Sequence, residues 1–244
     1  VALLYKFADF FVEMTPMYDY TLDMAEPFLY KASLDGENVI TIGENVTEEF
    51  CQDYLKEQHH LSLGEVEHIF LALDFFRKIL KYKSIMIHAS AVKYKGRCYL
   101  FSAPSQTGKS THTKIWKKLY GDDVEIINDD KPIVRLIDGE LYAYGTPFAG
   151  GTYLYKDDRA VVDSIVFVKR SEDNSIKELS GREALPQLFN ETVHKLGRTN
   201  MENVFSMFDV IFEKVKFYEL HCNMEDSSAV LAHNTIVKEE NYEG

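Results

Sequence analysis

The chain has 244 residues, 45% of them hydrophobic and 27% charged, and a formal net charge of −12. That composition suits a globular protein with a sizeable core, and the acidity excludes an unaided basic surface for nucleic acid. Three scattered cysteines, Cys51, Cys98 and Cys222, lack the spacing of a zinc site or disulfide framework, and no apolar run has the length of a membrane span, so a cytoplasmic chain without a membrane segment is expected.

Residues 1–60 read as a small strand-rich part. Phe7–Met14 and Val39–Ile42 are its strand-like runs, set off by turn signals at Asp35-Gly36 and Gly43-Glu44. A main domain over 61–244 opens with a helix at Leu63–Tyr82. There Val66, Ile69, Phe70, Leu73, Phe76 and Leu80 recur on one face, and Ser62 with Glu65 forms a capping box. Ser84–Val92 and Arg97–Ser102 flank Lys95-Gly96 as a hairpin. A loop and a helix through Leu119 follow, then a strand at Val124–Asn128. A second hairpin joins Pro132–Ile137 to Leu141–Tyr144 at Asp138-Gly139. Val161–Val168, apolar and β-branched, has the pattern of a buried strand. The remainder alternates helices over Gly181–Asn190, Met201–Glu213 and Asp226–Lys238 with a strand over Val215–His221. The expected fold is α/β, a mixed central sheet with the small N-terminal part beside it.

Some residues have plain readings. Lys114, Lys117 and Lys118 form a solvated helix face, and His112 reads as surface. Asn45-Val46-Thr47 and Asn190-Glu191-Thr192 match the glycosylation tripeptide, without consequence in a cytoplasmic chain.

The chemistry lies in Phe101–Thr113, "FSAPSQTGKSTHT". Ala103 to Ser110 supplies the phosphate-binding loop signature except its first glycine, between an apolar strand (Cys98–Phe101) and a helix with Ile115, Trp116 and Leu119 on one face. In such a loop the backbone N–H groups of Ser105, Gln106, Thr107, Gly108, Lys109, Ser110 and Thr111 surround a nucleotide's phosphates at the positive end of the helix. Lys109 would neutralise the β- and γ-phosphates, and the Ser110 hydroxyl would ligate Mg²⁺. Ala103 is small enough for the entry turn, which Pro104 helps fix. Gln106 either costs backbone freedom or donates its amide to a phosphate.

A phosphate site also needs a metal anchor and a base. The strand Val124–Asn128 runs into Asp129 and Asp130, and one of these carboxylates would serve each purpose. His88, in "IMIHASAV", is either a core histidine or a partner that orients a carboxylate.

In type and order, His88, Lys109, Ser110, Asp129 and Asp130 resemble the motifs of HPr kinase/phosphorylase-like P-loop kinases, related in fold to phosphoenolpyruvate carboxykinases. Ser105–Thr111 is similar to the carboxykinase form of the loop. The resemblance covers about a quarter of the chain strongly, from His88 to Gly150. It implies Asp129 as catalytic base with His88 beside it, Asp130 and Ser110 at the metal, ATP and Mg²⁺ as cofactors, and a homo-oligomer. Two departures limit it. The region of the family's signature glutamate, Tyr144–Gly151, carries no carboxylate and reads as a substrate-facing loop. Nor do Arg135 and Arg159 fall into a spacing suited to oxaloacetate or phosphoenolpyruvate, which argues against carboxykinase activity.

The expected function is therefore an ATP-dependent kinase for a serine-like hydroxyl on a small molecule or peptide. The alternative is a non-catalytic nucleotide-sensing or peptide-binding protein with a degenerate loop, and a third reading is a nucleotide hydrolase.

Overall fold

The computed structural model describes residues 1–34, 36–104, 107–150, 153–192 and 197–237. Asp35 of the first expected turn, Ser105 and Gln106 of the expected phosphate loop, Gly151 and Lys238 therefore lie outside the described residues.

The chain begins with a hairpin, β1 (Leu3–Phe7) and β2 (Phe10–Met14), to which β3 (Val39–Thr41) adds in parallel. The run Phe7–Met14 is thus not one strand. Ala8 and Asp9 turn the chain, both at positive φ (50° and 55°), as a two-residue hairpin requires. This non-glycine turn is held from outside. Arg135 donates to the Ala8 carbonyl at 2.7 Å, and Asp9 accepts from Arg159 and from the Tyr144 hydroxyl, each at 2.6 Å. Arg135 and Arg159 therefore clamp the turn.

Two short helices, α1 (Asp19–Ala25) and α2 (Glu48–Leu55), precede α3 (Leu63–Ile79). The capping box at Ser62 and Glu65 is present. The buried stripe of α3 differs by a small rotation from the expected one. Val66, Leu71, Ala72, Phe75, Phe76 and Ile79 are buried, while Ile69, Phe70 and Leu73 are half-buried beside them. Phe70 packs on Phe50 and Tyr54 of α2, and Phe75 and Phe76 join the hydrophobic core of β1–β3. Residues 1–60 and α3 thus share one core.

Glu67 of α3 is almost fully buried, and its carboxylate accepts the Met17 amide at 2.6 Å, pinning the entry to α1. Glu67→Ala should lower stability by about 2–3 kcal/mol, because a charged hydrogen bond is lost and the amide loses its partner. A denaturant midpoint unchanged from wild type would contradict this anchor.

The main sheet comprises β4 (Ser84–Met86), β5 (Ala89–Tyr94), β6 (Arg97–Ser102), β7 (Val124–Asp130), β8 (Ile133–Ile137), β9 (Glu140–Tyr144), β10 (Arg159–Arg170), β11 (Ser175–Leu179) and β12 (Lys216–Cys222). The strand path runs β4-β8-β9-β10-β6-β5-β7, with β12 parallel to β10 and β11 on β12. β10 holds β6 on one edge; on the other it pairs with β9 near its start and with β12 beyond. The result is a curled, mixed sheet. Both expected turns are present, at Lys95-Gly96 (φ 46° and 80°) and Asp138-Gly139 (φ 49° and 84°).

Helices cover both faces, which is why Ile165–Val168 of β10 is an unbroken apolar, buried run. α4 (Lys109–Tyr120) and α7 (Asp226–Ile236) pack on Val92, Phe101, Val166 and Leu220. α5 (Gly181–Asn190) and α6 (Arg198–Lys214) cover Leu100, Ile165 and Phe217 on the other side. All three cysteines are free and buried. Among the described residues no helix is long and apolar enough to cross a membrane.

Candidate active site

The site is organised by a break in a strand. Ser84–Val92 splits into β4 and β5 because Ile87 and His88 leave the ladder. The Ile87 amide donates to the Pro132 carbonyl at 3.3 Å, and the His88 amide to the Glu191 carbonyl at 2.7 Å. Ser102 Oγ donates to the His88 carbonyl at 2.8 Å. The two crossing residues are thus fixed by three bonds, one to Ile87 and two to His88.

The His88 ring stands between two carboxylates: Nδ1 is 2.7 Å from Glu191 and Nε2 is 2.9 Å from Asp130. Lys109, the first residue of α4, also brings its Nζ to 2.7 Å from Nε2 and 3.7 Å from Asp130. Nε2 cannot donate to Asp130 and accept from Lys109 at once. Burial pulls the His88 pKa down, but the bonds to Asp130 and Glu191 outweigh it and raise the pKa above 6.5. Lys109 shows the opposite balance: burial lowers its pKa, against the pull of Asp130 and Asp129.

For Asp130, burial pushes the pKa up, but His88 and the Lys131 ammonium in direct contact prevail, leaving it well below the carboxylate range. Its backbone is strained as well, with φ at 129°. Such conformations cost about 1–3 kcal/mol and gather at functional sites.

The raised His88 pKa has a consequence for stability. A group whose folded pKa exceeds its unfolded one contributes fully below the unfolded pKa, and the contribution is lost as pH rises through the folded value. His88→Gln should therefore cost more stability near about pH 5.5 than near about pH 9. A stability difference from wild type that stays constant across that range would refute the charged ring.

Asp129 faces a different way. It is 2% exposed, and its Oδ1 accepts from Ser90 Oγ at 2.7 Å and Ser110 Oγ at 3.0 Å. Of the two aspartates, then, Asp129 meets the Ser110 hydroxyl, and Asp130 meets His88, Lys109 and Lys131. The Gly150 amide donates to the Asp129 carbonyl at 3.0 Å, so the Phe148–Gly150 stretch is drawn against the pair.

Gly108, at the start of α4, has φ of 113°, a conformation that L side chains rarely adopt, so glycine is favoured there. Among the described residues no side chain caps α4, so the N–H groups of its first turn, those of Lys109, Ser110 and Thr111, have no capping partner there. Thr111 is exposed; the Thr107 carbonyl accepts from Arg170 Nε at 2.9 Å. Ala103, in place of the signature's first glycine, is buried in the α4 core.

His112 is not a surface residue. It is fully buried against Phe101 and accepts from Trp116 Nε1 at 3.2 Å, and burial lowers its pKa to about 4. Glu191, Ser90 and Lys131 escaped the sequence reading. Ser90 lies two residues after His88, on the same side of an extended chain, a signal available in the sequence. Glu191 had none, being the middle of a tripeptide read for glycosylation.

Two cavities flank the cluster. One, of about 310 Å³, is lined by Ala103, Pro104, Thr107, Lys169, Arg170 and Glu191 among others. The second, of about 260 Å³, lies among α1, α3 and Phe148–Gly150 and reaches Asp130 and Lys131. Among the described residues no group of three or more His, Cys, Asp or Glu side chains could hold a metal. Magnesium keeps its waters and takes phosphate oxygens, so the Ser110 hydroxyl and Asp129 carboxylate are a fitting donor pair.

No protein-family model matches the chain, and no curated protein does. Among solved structures, the chain is similar to the Hpr(Ser) kinase/phosphatase from Coxiella burnetii at a TM-score of 0.36 and 10% identity, over 61% of this chain and 94% of that one. A likeness of that size carries no weight for function.

Proposed function

We propose that the chain is an ATP-dependent phosphotransferase acting on a hydroxyl acceptor. One observation carries this reading: His88 bonds Glu191, which lines one cavity, and Asp130, which lines the other, with Lys109 at their junction. ATP enters from the Glu191 side, with its phosphates at the first turn of α4, and the acceptor enters from the Asp130 side.

Asp130 receives the acceptor's hydroxyl hydrogen. An O–P bond forms to the γ-phosphorus as the bridging P–O bond breaks; the electron pair leaves with ADP, and the acceptor's proton passes to Asp130. A carboxylate with so low a pKa orients the hydroxyl and takes the proton late, which suits a loose transition state. Lys109 neutralises the transferring group, and His88 holds Asp130 in place. Ser110 and Asp129 would hold Mg²⁺, which supplies charge neutralisation of the phosphates.

Calorimetric titration with ATP, with and without Mg²⁺, tests the first half, and mass spectrometry of candidate hydroxyl compounds after incubation tests the second. Magnesium-dependent binding followed by product is expected. Binding without product from any acceptor would favour a nucleotide-sensing protein, and no binding would defeat both.

A further inference from the structure

We propose that the acceptor carries its hydroxyl on an uncharged, largely apolar group of residue size, seated between α1 and α3 with a polar atom bonded to His68. This rests on the phosphotransferase reading and deepens it by naming the acceptor's chemistry.

The cavity beside Asp130 is walled by Tyr20, Ile69, Leu73, Phe76 and Phe148. His68 also lines it, 5% exposed, between the rings of Tyr20 (5.3 Å) and Phe148 (5.2 Å). Among the described residues neither ring nitrogen makes a full hydrogen bond; the Pro147 carbonyl is near enough to act on the ring as an acceptor. A buried polar group left unpaired is costly and rare, so one in the wall of a cavity marks where an occupant's polar atom belongs. Burial lowers the His68 pKa to about 4, so the ring is neutral near pH 7 and offers one donor and one acceptor. An amide or hydroxyl matches that pair.

Charge argues against an acidic occupant. Glu65 and Asp130 both line the cavity, and Lys131, the cation there, already contacts Asp130. A carboxylate in the cavity would face two others with its counter-ion engaged elsewhere. A cation fares no better, because Glu65 is engaged by Ser62 and Asp130 by His88 and Lys131, and it would have to compete with those partners.

The test uses three probes without nucleotide: N-acetyltyrosinamide, a pentapeptide with serine beside leucine, and the same peptide with glutamate for leucine. Binding is read from the NMR signals of the His68 ring. Tyrosinamide or the leucine peptide should shift these signals saturably, and which of the two does so tells a free acceptor from a peptide. The glutamate peptide should bind at least about tenfold more weakly. Leu73→Trp, which fills the cavity, should abolish binding, and His68→Asn should weaken it as read by calorimetry.

Equal binding of both peptides, binding indifferent to Leu73→Trp, or no binding by any probe would overturn the proposal. Phosphoryl transfer is assayed separately. Saturable binding without product would leave the pocket standing and defeat the phosphotransferase reading. Product formation indifferent to both substitutions would do the reverse.

Discussion

Replacing Lys109 with alanine is expected to remove magnesium-dependent ATP binding and to lower phosphoryl transfer by about 10³-fold or more. The size of the effect follows from the setting of the ammonium. Lys109 is 7% exposed and stands within 2.7 Å of His88 and 3.7 Å of Asp130, so its charge acts where little water screens it. In the free protein that ammonium is buried, and burial lowers its pKa. A nucleotide's phosphates would supply the counter-charge such a buried ammonium needs, so a large share of the binding free energy should depend on it. The check is calorimetry alongside single-turnover transfer. Tight Mg-ATP binding by Lys109→Ala would show that the start of α4 does not hold the phosphates.

The second large effect separates the two aspartates. Asp130→Asn should lower transfer by about 10²- to 10⁴-fold with ATP affinity nearly unchanged, because asparagine can hold a hydroxyl but cannot take its proton. Asp129→Asn should chiefly raise the magnesium concentration needed for half-maximal rate, since Asp129 sits on the Ser110 hydroxyl and away from the acceptor cavity. This assigns the base opposite to what the family resemblance implies, and the reason is access. Asp129 is 2% exposed, whereas the Asp130 side chain is 23% exposed and lines a cavity. If Asp129→Asn lost turnover at saturating magnesium while Asp130→Asn kept it, the two roles would exchange.

What was legible in the sequence was local. Lys95-Gly96 and Asp138-Gly139 are turn chemistry complete within two residues, and α3 announces itself through a capping box and a repeating apolar face. His88, Lys109, Asp129 and Asp130 could be nominated because all four fall within one continuous stretch of chain, from His88 to Asp130. What was illegible came from elsewhere in the chain. The Ala8-Asp9 turn is held by Arg135, Arg159 and Tyr144, so nothing in its own composition marks it. The break at Ile87-His88 hides inside an apolar run because its causes are the Pro132 and Glu191 carbonyls. Glu191 itself lies 103 residues from the histidine it contacts. The short helices α1 and α2 offer too few turns for a periodic signal.

The curl of the sheet bears on how the molecule comes into being. β4 and β5 are adjacent in the chain, yet they lie near opposite ends of the strand path, joined only through Ile87 and His88. That path can close only after β8, β9 and β10 have been synthesised and paired, and such distant pairings are slow steps in folding. His88 sits at the seam and waits longer still, for the chain to reach Glu191. An incompletely folded chain that has already formed α4 therefore holds Lys109 without its neighbours. The contact of His88 with Glu191 thus forms last, together with the final closure of the fold.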